Sequence, residues 1–171
     1  NNIAYKHAEP TVTGGLSNTL SYKWFDLNFM ITYQFGGYSY DTWAQKVEHG
    51  GKDLEANIPT YYLNNWKQPG DISQYERFIE APEVSMGKFS NTRRVHSTDF
   101  IRLKNLTFGF TMPKAWTKPL GISKVRLYVA GNNLLIRARY DYYDPEAVSG
   151  GTAGWGTPPL KTITFGLNVN F

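Results

Sequence analysis

Hydrophobic and polar residues alternate one by one through several stretches of this chain, the period of a β-strand whose two faces meet different surroundings. The strictest run is Phe25, Leu27, Phe29, Ile31, Tyr33 and Phe35, interleaved with Asp26, Asn28, Met30, Thr32 and Gln34. Another is Ile163, Phe165, Leu167, Val169 and Phe171, set against Thr162, Thr164, Gly166, Asn168 and Asn170, with no charge from Thr162 to Asn170. Val12, Leu16, Leu20 and Tyr22 alternate more weakly with Thr13, Ser17, Thr19 and Ser21, and Tyr22-Lys23-Trp24 forms a short turn into the next strand. Between Phe100 and Met112, the residues Leu106, Phe108, Phe110 and Met112 share a face. Val125, Leu127 and Val129 alternate with Arg126, Tyr128 and Ala130, after which Gly131-Asn132-Asn133 leads into Leu134-Leu135-Ile136. The pattern predicts five long strands.

Half-buried strands of a soluble sandwich alternate in the same way. Two features favour a membrane wall instead. A transmembrane strand needs only about 9 to 11 residues and shows lipid every second one, so a barrel spans a bilayer without any long apolar run. The apolar face of the 25–35 strand is unusually aromatic, with Phe25 and the Tyr33/Phe35 pair near its ends, as in interfacial girdles. Connections also sort by length: those after Tyr22 and Met112 are short, whereas 38–97 and 139–160 are long, the arrangement of periplasmic turns and extracellular loops. Arg102 and Lys104 continue the Leu106–Phe110 face. They are expected above the lipid band or past a bulge, because a charge at the bilayer midplane costs about 2 to 4 kcal/mol.

In the long loops, Asp41 to Glu48 predicts a short helix capped by Asp41, and Pro69-Gly70-Asp71 and Pro119/Gly121 break the chain. Five tilted strands cannot close a lipid-facing barrel, the smallest of which have about eight. Open edges are not tolerated at membrane depth. The chain therefore reads as a portion of something longer. Its start at Asn1, with neither Met nor a signal peptide, agrees.

Composition narrows the chemistry. The 171 residues include 12 Tyr, 10 Phe and 5 Trp beside 16 Gly and 9 Pro, which suits strands broken by turns and argues against a helical bundle. No cysteine is present, so disulfides, thiolate catalysis and Cys-ligated metals are excluded. The net charge of +4 is scattered, Arg93-Arg94 being the one tight pair, and no nucleic-acid stripe emerges. His7, His49 and His96 lack metal-binding spacing and read as surface residues. Glu80 with Glu83 and Asp141 with Asp144 are spaced as carboxylate pairs, but loop acids are ordinarily solvated. Asp141, Asp144 and Glu146 are calcium-type donors in a segment better read as a turn. No nucleophile elbow, phosphate loop or dinucleotide fingerprint is found, so neither an enzyme nor a cofactor is expected.

Particular strings add to the periodicity. FIRLKNLTFGFTMPKAW at Phe100 to Trp116, GISKVRLYVAGNNLL at Gly121 to Leu135, YDPE at Tyr143 to Glu146 and TFGLNVNF at the end resemble the C-terminal region of SusC/RagA-type TonB-dependent outer-membrane transporters of Bacteroidota. SYKWFDLNFMITYQFGG at Ser21 to Gly37 and YYLNNWKQPGD at Tyr61 to Asp71 resemble the strand pair and extracellular loop preceding those motifs. The resemblance implies that 1–171 is the C-terminal part of a barrel domain, its last five strands. The whole barrel then has about 22 strands around a plugged lumen, with plug and earlier strands outside this sequence. It implies import of oligosaccharides or peptides with a SusD-like surface lipoprotein as lid, and drive from the TonB complex through a missing N-terminal segment.

On this reading the lipid-facing residues are Phe25, Leu27, Phe29, Ile31, Leu106, Phe108, Phe110, Ile163, Phe165, Leu167 and Val169. Thr164, Gly166, Val169 and Phe171 resemble the assembly signal of outer-membrane barrels, where glycine eases close backbone approach. Tyr61, Tyr62 and Trp66 in the first long loop, and Tyr142, Tyr143 and Trp155 in the second, are candidates to contact ligand or lid, since sugar rings pack on aromatic faces. Equally, such aromatics pack loops onto a barrel rim. The alternative from a different class is a soluble β-sandwich carbohydrate-binding module, which would bury the apolar strand faces under a second sheet.

Overall fold

The computed structural model describes residues 6–51, 55, 57–79, 91–148, 150–153 and 156–171. Its frame is a five-stranded antiparallel sheet in the order β1-β2-β5-β6-β8, built from β1 (Val12–Tyr22), β2 (Phe25–Phe35), β5 (Phe100–Thr111), β6 (Lys124–Ala138) and β8 (Thr162–Asn170). These are the five predicted long strands. Lys23 and Trp24 form the two-residue turn between β1 and β2, Lys23 having a positive φ of 53°. The β5–β6 connector is more ordered than the sequence pattern suggested, holding α2 (Lys114–Thr117) and a 3-10 turn at Lys118–Leu120. Pro113 opens α2 as its N-cap, where the missing N–H costs nothing.

A smaller three-stranded sheet of β3 (Tyr38–Asp41), β4 (Val95–Ser97) and β7 (Thr152–Ala153), ordered β4-β3-β7, extends the β2/β5 hairpin at the long-loop end. The joint lies at Gly36-Gly37 opposite Thr98-Asp99: Thr98 N–H donates to the Gly37 carbonyl at 2.9 Å, and Gly36 N–H to Asp99 Oδ1 at 2.7 Å. Gly36 holds φ 86°, a left-handed bend that an L side chain resists. No alternation marks these strands in the sequence, because two- to four-residue pieces from distant loops carry no period. The expected helix forms as α1 (Thr42–Val47), with the Asp41 carboxylate accepting from Ala44 N–H at 2.8 Å.

Pairing register fixes the two faces of the large sheet. Tyr22, Phe25 and Phe110 are in register, as are Leu20, Leu27 and Phe108, and Asn18, Phe29 and Leu106. On the other side of β5, Phe108 pairs with Val129 and Val129 with Phe165. No second sheet packs on this apolar face among the described residues, and Phe165 and Leu167 remain 81% and 59% exposed. The sandwich arrangement is therefore not the one adopted. No helix of the described residues is long and apolar enough to cross a membrane, which is silent on spanning strands.

Candidate functional site: the lipid-facing wall and its loop rim

All eleven residues expected to face lipid fall on one face of the sheet, together with Leu16, Leu20, Leu103, Leu127 and Val129. A bulge explains the two basic residues that broke the pattern. Ile31 pairs with Leu103 while Met30 pairs with Asn105, so Lys104 is the extra residue and the parity of β5 reverses beyond it. Arg102 therefore pairs with Thr32 on the polar face. Of the two expectations for Arg102, a bulge is the one seen. On β6 the irregularity falls at Asn133, in the left-handed region at φ 51°, a conformation that asparagine tolerates.

The opposite face carries mostly small and polar side chains, with Met30, Phe100, Tyr128 and Ile136 as its larger members. Asp26 is in register with Gly109, and Arg126, opposite Thr111 on β6, lies diagonally across that glycine. Because Gly109 has no side chain, the Arg126 guanidinium reaches Asp26 in two hydrogen bonds, Nε to Oδ1 at 3.1 Å and Nη2 to Oδ2 at 2.5 Å. A Cβ at Gly109 would sit 2.4 Å from Arg126 Nη2. Asn105 and Asn132 are bonded at 3.0 Å, as are Asn28 and Thr19 at 2.7 Å.

At the long-loop end, Arg102 is 2% exposed and holds Asp144 through Nη2 at 2.5 and 2.6 Å. Its Nε lies 2.8 Å from Glu146 Oε2, and Lys104 Nζ bonds the same carboxylate at 2.9 Å. Asp144 also caps the 3-10 turn Pro145–Ala147 by accepting from Glu146 N–H at 2.9 Å. Two separate motifs, FIRLK and YDPE, are thus halves of one latch that ties the β6–β8 loop to β5. Asp144 and Glu146 are engaged with cations, and among the described residues no cluster suits a metal. The bulge turns Arg102 towards these acids: the segment is the turn that was the better reading, and Asp144, expected to be solvated, is paired instead while Asp141 stays exposed.

Above the latch the loops make a core of their own. Tyr62 is fully buried against Tyr75 and Phe78, with ring centroids 5.0 and 5.3 Å apart. Tyr140 donates to Asp41 at 2.9 Å and stacks on His96 at 3.7 Å; Tyr61 donates to Glu48 at 3.0 Å. Arg94, also buried, donates to the Glu48 carbonyl at 3.2 Å, and Tyr143 shares a short hydrogen bond with Ser39. Burial, then the nearby Glu76, pushes the Tyr62 hydroxyl up to about 12. Burial, then the Asp41 and Glu48 carboxylates respectively, raises Tyr140 and Tyr61 well above the usual phenol range. These phenols stay protonated donors. Two hollows open beside the cluster. One of about 200 Å³ touches Glu48, Tyr61, Tyr75, Arg93 and Tyr142; another of about 420 Å³ touches Trp43, Val47, Ile58, Pro59, Tyr61 and Tyr142.

No protein-family model matches the chain. TonB-dependent receptor P3 of Formosa agariphila is 30% identical over 95% of the chain, and TonB-dependent receptor SusC of Bacteroides thetaiotaomicron 26% identical over 98%. The RagAB peptide importer in its open-open state superposes with a TM-score of 0.83, at 26% identity over 97% of the chain. The chain is a segment of a SusC/RagA-type TonB-dependent outer-membrane barrel. It spans 16% of the length of each of those two receptors and 18% of the importer chain.

Within the barrel segment, the aromatic candidates have unequal positions. Tyr61, Tyr62, Tyr142 and Tyr143 come together in the rim cluster, bridged by Tyr75 and Tyr140. Tyr62 has no surface left to offer a ligand, whereas Tyr142 is 69% exposed. Trp66 is half-buried, its N–H donating to the Tyr75 carbonyl at 2.9 Å. Trp155, Glu80 and Glu83 lie outside the described residues. His49 is buried and His96 half-buried, correcting the expectation of surface histidines: His49 Nδ1 accepts from Gly51 N–H at 3.2 Å, and His96 is enclosed by the Tyr140 ring. Sequence reasoning passed over Asp41, Arg94 and Arg102 as rim organisers. An arginine at an apolar-parity position was the available signal for Arg102. For Arg94 there was none.

Proposed function

We propose that the segment is the C-terminal part of the wall of an outer-membrane nutrient importer. On this reading the edges of β1 and β8 pair with strands outside this sequence, closing a barrel of about 22 strands around a plug. The observation that carries the reading is the open, one-sided sheet. Its apolar face has no protein cover among the described residues, and its opposite face is mostly polar, as a lipid-to-lumen wall requires. The eleven residues of that face meet lipid, and Thr164, Gly166, Val169 and Phe171 serve assembly. The rim cluster lies on the extracellular side, where exposed Tyr142 faces cargo or a SusD-like lipoprotein lid. Cargo is an oligosaccharide or peptide, uptake is driven by the TonB complex, and no enzymatic step is involved.

The test uses the full-length protein. Tagged and extracted from outer membranes, it is expected to bring a SusD-like lipoprotein with it, and deleting its gene to abolish growth on one oligosaccharide or peptide source. Unchanged growth on every such source, with no lipoprotein recovered, would contradict the reading.

A further inference from the structure

The charges of this segment are sorted by end. Of its 14 acidic residues, only Asp26 falls within the five long strands and their short connectors, and Asp26 is already bonded to Arg126. The two short connectors instead carry Lys23, Lys114 and Lys118, all exposed. None of the three makes an ion pair among the described residues. Lys124 is set apart, since its register with Asn170 puts it on the polar face beside Asp26.

The connectors form one ledge. Thr111 N–H donates to the Trp24 carbonyl at 2.8 Å, Met112 N–H to Val125 at 2.9 Å, and Ser123 N–H to Asn170 at 2.9 Å. The ledge leans to the apolar side. Lys23 Nζ lies 5.3 Å over the ring of Tyr22, an apolar-face residue. Helix α2 touches β6, and Val125 on the apolar face is only 8% exposed, whereas Leu127 two residues along is 43% exposed. Three large aromatics stand on this ledge: Tyr22, Trp24 and Trp116, the first and last 70% and 61% exposed. A hollow of about 320 Å³, lined by Lys114, Thr117, Lys118, Gly121, Ile122 and Ser123, indents it.

Indole and phenol rings settle at the headgroup level of a bilayer, and lysines keep their stems in the apolar zone while the ammonium reaches the phosphates. We propose that this ledge binds the headgroups of acidic phospholipid in the periplasmic leaflet, with Lys23, Lys114 and Lys118 as the charged contacts and Trp24 and Trp116 as anchors. The proposal rests on the outer-membrane reading above. Charge complementarity selects the occupant, since cations without an ion pair among the described residues lie directly beneath an apolar wall and neither connector carries an acidic side chain.

The test is native mass spectrometry of the full-length barrel released from mixed micelles holding equal phosphatidylglycerol and phosphatidylcholine. Wild type is expected to retain phosphatidylglycerol preferentially. The variant Lys23→Gln/Lys114→Gln/Lys118→Gln is expected to lose that preference by on the order of ten-fold, while Lys161→Gln beyond the opposite strand end leaves it intact. Equal retention of the two lipids by wild type, or equal loss in the Lys161→Gln control, overturns the proposal. So does displacement of the lipid by inorganic phosphate alone, which would mark a soluble anion site. Heat-modifiable migration of every variant is read in parallel. A wild type that is not a folded membrane barrel defeats the function reading itself, whereas a folded barrel without lipid preference defeats only this inference.

Discussion

At the scale of single residues, one glycine and one arginine decide how side chains from neighbouring elements meet. Gly166 was expected to ease backbone approach at a strand end. The structure gives a different reason: the Tyr128 ring lies across it, so that a Cβ there would fall 2.1 Å from the ring. Gly166→Ala is therefore expected to destabilise the assembled barrel by about 1 to 3 kcal/mol through overpacking. Tyr128→Ala should remove most of that penalty. The comparison is a double-mutant cycle on the midpoint of heat-induced unfolding in detergent, and strict additivity would refute the contact. Arg102 poses the converse case. Its partner Asp144 has a nearly buried side chain, so Arg102→Met leaves a carboxylate unpaired, a loss of about 3 to 5 kcal/mol. Protease cleavage in the 139–153 loop should rise sharply; wild-type resistance in the variant would show that the latch does not hold the loop.

At the scale of elements, the long strands were legible because one-residue alternation survives any sequence context, and β1 and β2 begin and end at the residues the pattern marked. The helix α1 was legible through its cap. Neither the β3/β4/β7 sheet nor the rim cluster could be read, because Tyr40, Val95 and Thr152 acquire partners only after loops of tens of residues close. The β5 bulge was half legible: two basic residues on an apolar face demanded either depth or a parity change, and only coordinates separate these. The rim also carries a pH dependence. Burial, partly offset by Asp41 and Glu48, lowers the His96 pKa below its ordinary 6.5. When the rim is open His96 takes a proton near that ordinary value, and when packed it does so only at lower pH. Rim stability is thus full above pH 6.5 and declines as pH falls below it. Hydrogen exchange of 95–97 and 139–143 should lose protection between about pH 7.5 and about pH 5.5, after correction for intrinsic rates. In His96→Phe the change should vanish; a wild-type profile in that variant would exclude His96 as the cause.

At the scale of the whole molecule, the five strands make sense only as part of a larger wall. An isolated sheet with this much exposed aromatic and aliphatic surface would aggregate, and its two edges would template further pairing. On the proposed function both problems are answered, since lipid would cover the apolar face and neighbouring strands the edges. The same logic explains the distribution of chemistry. Among the described residues one ion pair joins two long strands, Asp26 with Arg126, while the latch and the aromatic cluster sit where the loops leave the sheet. Cargo selection, on the proposed function, belongs to that rim and to parts of the barrel outside these residues.

The central claim is that alternate residues of the strands face lipid, and β8 offers its most direct test. The segment has no cysteine of its own, so single cysteines at positions 162 to 170 can be spin-labelled one by one in a full-length barrel freed of other thiols and reconstituted in liposomes. Collision with oxygen, which concentrates in the bilayer, is compared with collision with a water-soluble nickel complex. Labels at Ile163, Phe165, Leu167 and Val169 are expected to favour oxygen, and those at Thr164, Gly166 and Asn168 the nickel complex, with a period of two. Labels at Phe165 and Leu167 shielded from both reagents would place a protein layer on that face and contradict the account.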